Sequence, residues 1–123
     1  MTAARQRIGQ RAEAAVGEWL AASGWRMIDR RARTPWGELD LVAIDPAGTL
    51  VGVEVKLRRH ARSGSGAEAV DARRLARLRS ALVGYASRPQ LAGLPLRLDL
   101  VVVTPSSVPD RWLARRHAGI GAW

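Results

Sequence analysis

The chain of 123 residues contains no cysteine and no phenylalanine, and Lys56 is its only lysine. The absence of cysteine excludes disulfides and thiolate metal sites, and it fits a reducing compartment, so we expect a cytoplasmic protein. No apolar run approaches the roughly 20 residues that a membrane-spanning helix needs, so no membrane partner is expected. The basic start of the chain lacks the apolar segment of a signal peptide.

Acidic residues are also scarce, because 11 Asp and Glu stand against 20 Lys and Arg and leave a net charge of +9. A small basic protein is attracted to polyanions, chiefly nucleic acid, through phosphate contacts and counterion release. A solvated basic surface without a partner is the alternative interpretation. The length of the chain and the absence of a long linker predict a single domain over residues 1–123.

The hydrophobic pattern predicts six regular elements in the order α-β-β-β-α-β. Apolar residues at helical spacing indicate helices over about residues 4–22 and 67–86. Alternating or continuous apolar residues indicate four strands, at residues 25–33, 37–44, 49–57 and 96–103. This order is typical of an α/β protein with a mixed sheet flanked by helices. Residues 108–123 are compatible with a short strand or a helix.

The second and third strands are predicted to form a hairpin. Residues 45–48, with the sequence Asp-Pro-Ala-Gly, are typical of a type I turn followed by a glycine in the left-handed conformation. Such a three-residue loop pairs Asp45 with Thr49, and continuing the same register places Asp40 opposite Glu54.

The same register places Glu38 opposite Lys56. Because strand side chains alternate, the four polar side chains are expected on one face of the hairpin. The apolar residues between them are expected on the other face: Leu39, Leu41, Val53 and Val55.

Directly opposed carboxylates such as those of Asp40 and Glu54 repel each other, and a strand pair selected only for stability would avoid them. A bound divalent cation turns this repulsion into attraction. Mg²⁺ prefers a few hard oxygen ligands and retains waters, and Mn²⁺ can substitute for it. The two carboxylates and the backbone carbonyl of Val55 are therefore candidate ligands. An acidic, solvated sheet edge paired with arginines is the alternative, and spacing alone does not separate the two.

The position of Lys56 favours a chemical role. Every other basic residue is arginine, yet a lysine stands two residues after Glu54. The lysine ammonium is a compact point charge that can hold a water or stabilise charge on phosphorus, whereas the guanidinium is broad and planar.

The sequence GELDLV at residues 37–42, followed by VEVK at 53–56, resembles the PD-(D/E)XK nuclease superfamily. More narrowly, it resembles the YraN-like family of bacterial endonuclease-like proteins, which is related to archaeal Holliday junction resolvases. The resemblance covers most of the chain and implies a restriction-endonuclease-like core. It also implies that Asp40 and Glu54 are metal ligands, that Lys56 is the catalytic lysine, and that Glu13 and Glu38 are accessory acids.

The sequence departs from the family's pattern at three places. No proline precedes Asp40, Gly52 stands where a large apolar residue is common, and Arg73 or Arg74 stands where the second helix often carries lysine. None of these departures affects the three central residues.

Several basic residues are candidate nucleic-acid contacts. The basic segment that follows Lys56 is expected to contact phosphate through Arg58, Arg59, His60 and Arg62. The resemblance adds Arg31 and Arg33. The arginines of the second helix (Arg73, Arg74, Arg77 and Arg79) are interpreted as a solvated face. Trp36 is interpreted as a cap on the core, with base stacking as the alternative.

The sequence therefore predicts a Mg²⁺-dependent endonuclease that hydrolyses phosphodiester bonds, with DNA, branched DNA included, as the expected substrate. The main alternative is a DNA- or RNA-binding protein that retains the nuclease fold without cutting. A basic protein associated with the ribosome is a third interpretation. Cleavage that requires a divalent cation separates the first interpretation from the others. The oligomeric state stays open, a homodimer included.

Overall fold

The structure is a computed structural model, and it describes residues 3–59 and 70–121 except for the side chain of Arg5. Its regular elements are α1 (Ala3–Ala22), β1 (Arg26–Thr34), β2 (Gly37–Ile44), β3 (Leu50–Leu57), α2 (Ala72–Tyr85), β4 (Leu96–Pro105) and β5 (Trp112–His117). A short 3₁₀ helix, Pro89–Leu91, precedes β4. The second helix begins later than predicted, after the N-cap Asp71, and the first residues of the predicted helix fall outside the described ranges.

The five strands form one mixed sheet in the order β1-β2-β3-β4-β5. β3 and β4 run parallel and are connected through α2, whereas the other neighbouring strands are antiparallel. The predicted α/β fold class and the order α-β-β-β-α-β are confirmed, and β5 extends that order by one strand. Within the described residues, no helix is long and apolar enough to cross a membrane.

The two helices cover opposite faces of the sheet. Leu78 and Leu82 of α2 pack with Leu100 of β4 on one face, whereas Val16 of α1 packs with Val101 on the other. Because successive residues of β4 are buried on alternate faces, this strand is almost continuously apolar in sequence. The buried side chain of Glu54 and the partly buried side chain of Lys56 lie near the end of β3, where this cover becomes incomplete.

The turn between β2 and β3 has the predicted geometry. The backbone N–H of Gly48 donates to the carbonyl of Asp45 at 2.9 Å, and Gly48 has a φ of 95°. The N–H of Asp45 donates to the carbonyl of Thr49 at 2.9 Å. The Asp45 side chain also accepts hydrogen bonds from the N–H groups of Ala47 and Thr49, each at 3.0 Å. These bonds fix the hairpin register locally.

The predicted register is confirmed as far as the pair of Leu41 with Val53, where the ladder between β2 and β3 ends. The predicted face of Leu39 is wrong, because it packs in the cluster under α2 while Leu41 and Val53 pack under α1. The cause is a local break in β-sheet geometry. The ladder between β1 and β2 skips Arg31 and Asp40, and Arg31 has a φ of 50°.

A buried carboxylate on β4 connects the hairpin turn to the edge strand β5. Asp99 of β4 is fully buried and accepts hydrogen bonds from Arg97 at 2.7 and 3.0 Å, from Arg116 at 3.0 Å, and from the N–H of Gly119 at 3.0 Å. Arg97 also donates to Asp45 at 2.8 Å. This network ties the hairpin turn, β4, β5 and the segment after β5 together.

Asp99→Asn should destabilise the fold strongly. The substitution leaves two partly buried arginines, Arg97 and Arg116, without the charge that balances them, and removing one partner from a buried ionic network costs about 3–5 kcal/mol. Urea denaturation would measure the free energy of unfolding. Asp110→Asn is the matched control, because its ion pair with Arg11 is on the surface and should be worth about 1 kcal/mol or less. Equal losses in the two variants would contradict this role of Asp99.

Candidate functional site

Asp40 and Glu54 lie side by side where the hairpin ladder ends. The backbone N–H of Val55 donates to Asp40 Oδ2 at 2.8 Å, so the carboxyl group takes the place of the next interstrand hydrogen bond. The Asp40 carboxyl lies close enough to Glu54 for the Glu54 carboxylate to raise the pKa of Asp40. The structure thus brings together the two carboxyl groups that the register predicts to be neighbours.

This environment favours the protonated form of Asp40. Burial raises the pKa of Asp40 to about 8, and the hydrogen bond and negative charge of Glu54 act in the same direction, as does the charge of Glu13. The N–H of Val55 opposes the shift only partly. Near neutral pH, Asp40 therefore holds a proton that a divalent cation could displace.

Glu54 is held by an arginine from the second helix. The buried carboxylate of Glu54 accepts from Arg74 Nε at 2.8 Å, and Arg74 Nη2 lies 2.7 Å from the same Oε2 atom. The interpretation of Arg74 as part of a solvated face is wrong. A sequence signal existed, because Arg74 precedes the buried Leu78 by four residues and so lies on the same face of α2.

Glu13 approaches the site from α1. It is close enough to Asp40 to raise its pKa, yet its carboxylate accepts a hydrogen bond from Arg31 Nε at 3.3 Å. Arg31, predicted to contact nucleic acid, is thus paired with an acid near the site, and its side chain is still 44% exposed.

Glu38 and Lys56 are not paired as the extended register predicts, because the ladder ends before it reaches them. Glu38 instead lies 3.6 Å from Arg33, whose side chain is 89% exposed. Lys56 is partly buried and has no hydrogen bond or ion pair with the residues that the structure describes. A purely structural ion pair therefore does not account for this lysine.

The basic segment after β3 is only partly described. Arg58 donates to the carbonyl of Leu57 at 3.4 Å, and Arg59 is exposed. Both arginines lie just beyond Lys56, as predicted. His60 and Arg62 fall outside the described residues, so their predicted phosphate contacts stay predictions.

The residues around Asp40 and Glu54 fit a Mg²⁺ ion with few protein ligands. The bonds from Val55 and Arg74 go to Asp40 Oδ2 and Glu54 Oε2, so neither donor occupies Asp40 Oδ1 or Glu54 Oε1. No three His, Cys, Asp or Glu residues in residues 3–59 and 70–121 are grouped to share a metal. Mg²⁺ commonly takes one or two carboxylates and retains waters, so two carboxylates are sufficient.

Comparison with known proteins places the site inside a shared region. The model of a family described as "Uncharacterised protein family UPF0102" matches residues 12–103. A UPF0102 protein of Symbiobacterium thermophilum is 48% identical, covering 85% of this chain and 86% of its own length. Those of Moorella thermoacetica and Maricaulis maris are 38% and 42% identical, covering 98% and 100% of this chain and 93% and 92% of their own lengths. The matched region extends from α1 to β4 and contains the carboxyl pair.

Asp40→Asn should stabilise the metal-free protein increasingly as pH rises. The pKa of Asp40 is raised on folding, so the folded state binds a proton more tightly than the unfolded state does. The resulting stabilisation of the folded state is complete below the ordinary pKa of 3.8 and is lost as pH rises towards about 8. Asparagine stays neutral and can still accept the hydrogen bond of Val55. The Tm advantage of the variant in EDTA should therefore grow between about pH 5 and about pH 8.5.

Asp110→Asn is the control for that experiment, because its carboxylate is 82% exposed. Its Tm difference from the wild type should stay nearly constant over the same range. If the difference for Asp40→Asn is also constant, Asp40 does not hold its proton as described.

Proposed function

The chain belongs to the uncharacterised protein family UPF0102, and we propose that it is a metal-dependent endonuclease. The expected reaction is hydrolysis of phosphodiester bonds in nucleic acid, with DNA as the substrate and Mg²⁺ or Mn²⁺ as the cofactor. One observation carries the proposal: Asp40 and Glu54 are packed against each other although their charges repel. Such an arrangement reduces stability, and a divalent cation between the carboxylates would remove that cost.

The proposed metal ligands are Asp40, Glu54 and the carbonyl of Val55. A bound Mg²⁺ would polarise a phosphate oxygen and lower the pKa of a bound water. The protein's own contribution is to hold the ligands in place. Arg74 fixes one oxygen of Glu54 and the N–H of Val55 fixes one oxygen of Asp40, which leaves the second oxygen of each for the cation.

Lys56 is the proposed catalytic lysine. It follows Glu54 by two residues on the same strand, so the two side chains extend from the same face of β3. With no partner among the described residues, its ammonium can hold the attacking water or balance charge on the phosphate.

Arginines around the carboxyl pair would bind the phosphate backbone. Arg58 and Arg59 follow Lys56 directly, and His60 and Arg62 are proposed to continue the same contact surface. On the β1 side, Arg31 and Arg33 are partly to largely exposed and are paired with Glu13 and Glu38. We assign these two acids an accessory role, which is to orient the arginines.

A non-catalytic nucleic-acid-binding protein is the second candidate. Two observations favour it. The net charge is +9, and Glu54 forms an ion pair with Arg74, as it would if its role were only structural. Both candidates predict salt-sensitive binding to nucleic acid. Only the first predicts that a divalent cation is required for cleavage.

A cleavage assay with labelled linear, flapped and branched DNA and RNA tests the proposal. The wild type should cut at least one of these substrates with Mg²⁺ or Mn²⁺ and none with EDTA. On that substrate, Lys56→Arg should cut slower by on the order of a hundredfold, the scale of losing a positioned electrostatic group. The broad guanidinium keeps the charge but should displace the attacking water.

Asp110→Asn is the matched control and should cut at the wild-type rate, because its carboxylate lies on the surface. Binding of the same substrate in EDTA should be unchanged in Lys56→Arg within about twofold, since both side chains are cationic. If no substrate is cut with either cation, the non-catalytic candidate replaces the proposal. If Lys56→Arg cuts at nearly the wild-type rate, Lys56 is a phosphate contact only.

A further inference from the structure

Trp36 lies in the two-residue loop between β1 and β2, and it is 54% exposed. Its interpretation as a cap on the core is wrong. The ring instead lies on the outer surface of α2 at Gly84, where an added Cβ atom would overlap the ring at Trp36 Cζ3. The missing side chain of Gly84 therefore provides the space that the tryptophan ring occupies.

Hydrogen bonds to the Thr34 hydroxyl hold the loop that carries this ring at both ends. The backbone N–H of Trp36 donates to Thr34 Oγ1 at 3.2 Å, and the same hydroxyl donates to the carbonyl of Gly37 at 2.7 Å. An exposed aromatic ring on such a fixed loop loses little conformational freedom when a ligand packs on it.

The ring borders a cavity of about 510 Å³ on the surface of α2. Its lining combines apolar and polar groups: Trp36, Arg79, Ser80, Val83, Gly84 and Ser87. Val83 is 52% exposed, and none of the lining residues is acidic. An aromatic face beside an apolar side chain, with serine residues in the lining, fits an unpaired nucleobase.

Two elements, β2 and α2, connect the cavity to the carboxyl pair. Trp36 precedes Asp40 by four residues of extended chain, which is about 13 Å. Gly84 follows Arg74 by ten residues along α2, which is about 15 Å. These lengths are upper limits on the separation of the backbones, which at 3.4 Å per stacked base corresponds to no more than about four nucleotides of one strand.

We propose that the Trp36 cavity binds an unpaired nucleobase of the nucleic acid on which the carboxyl pair acts. This inference rests on the proposed function and specifies its substrate class, which is nucleic acid with a single-stranded segment within about four nucleotides of the bond that is cut. A continuous duplex keeps its bases stacked inside and offers the ring nothing to stack on. The net charge of +9 and the absence of acids from the lining favour this occupant over another protein.

Binding measured in EDTA tests the inference without cleavage. Fluorescence anisotropy would compare a short single-stranded DNA, the same sequence as RNA, and the matching duplex. Trp36→Ala should bind at least one single strand about tenfold more weakly, the scale of losing one stacked base, and the duplex within about twofold of the wild type. Trp36→Phe should retain most of the affinity, because it retains an aromatic face.

Two further variants separate stacking from other effects. Gly84→Ala should weaken single-strand binding as well, because the added methyl displaces the ring, although alanine favours the helix. Trp19→Ala is the matched control, since Trp19 is also exposed, at 40%, but lies on α1. It should leave the affinity for single strands unchanged. Circular dichroism would verify that each variant is folded.

Three results would overturn the inference. In the first, folded Trp36→Ala binds single strands as tightly as the wild type. In the second, it loses affinity for single strands and duplex equally, which indicates a general effect on charge or folding. In the third, ultracentrifugation shows that Trp36→Ala dissociates a wild-type dimer while nucleic-acid binding is unchanged, so the cavity is a contact between copies. Because all binding is measured in EDTA, these results do not depend on whether the protein cleaves nucleic acid.

Discussion

The geometry of the candidate site depends on the contacts of the Asp45 carboxylate. This carboxylate accepts two backbone N–H groups within the hairpin turn and a hydrogen bond from Arg97, which is itself held by the buried Asp99. These contacts fix the pairing of β2 with β3. A slip by one residue would move every side chain of one strand to the other face, and Asp40 would no longer lie beside Glu54. The ionic network around the turn thus positions the carboxyl groups farther along the hairpin.

Two acids of the same sheet, Asp99 and Asp40, have opposite electrostatic surroundings. Asp99 is surrounded by cations and a backbone N–H, which satisfy its charge. Asp40 lies instead beside Glu54 and within the field of Glu13, and burial together with these two acids raises its pKa so that it holds a proton near neutral pH. Repulsion between neighbouring charged groups is common at functional sites, where it lowers the stability of the fold but serves the activity. The contrast within one sheet supports a functional interpretation of the carboxyl pair.

Local chemistry explains what the sequence could predict. The turn after β2 and the alternation of apolar residues fix the hairpin register, so the neighbouring acids follow from the sequence. The face of Leu39 could not be predicted, because it depends on the positive φ of Arg31 in the adjacent strand. The ion pair between Arg74 and Glu54 and the exposure of Trp36 depend on how α2 packs on the sheet. Contacts between elements distant in sequence leave only weak local signals.

Calorimetry of Mn²⁺ binding at about pH 7, in buffers of different ionisation enthalpy, tests the central claim that the carboxyl pair is a divalent-cation site. Because the pKa of Asp40 is about 8, each bound ion should release close to one proton at that pH. Asp40→Asn should bind Mn²⁺ weakly or not at all. Binding that is equal in the two proteins, or that releases no proton from the wild type, would contradict the account.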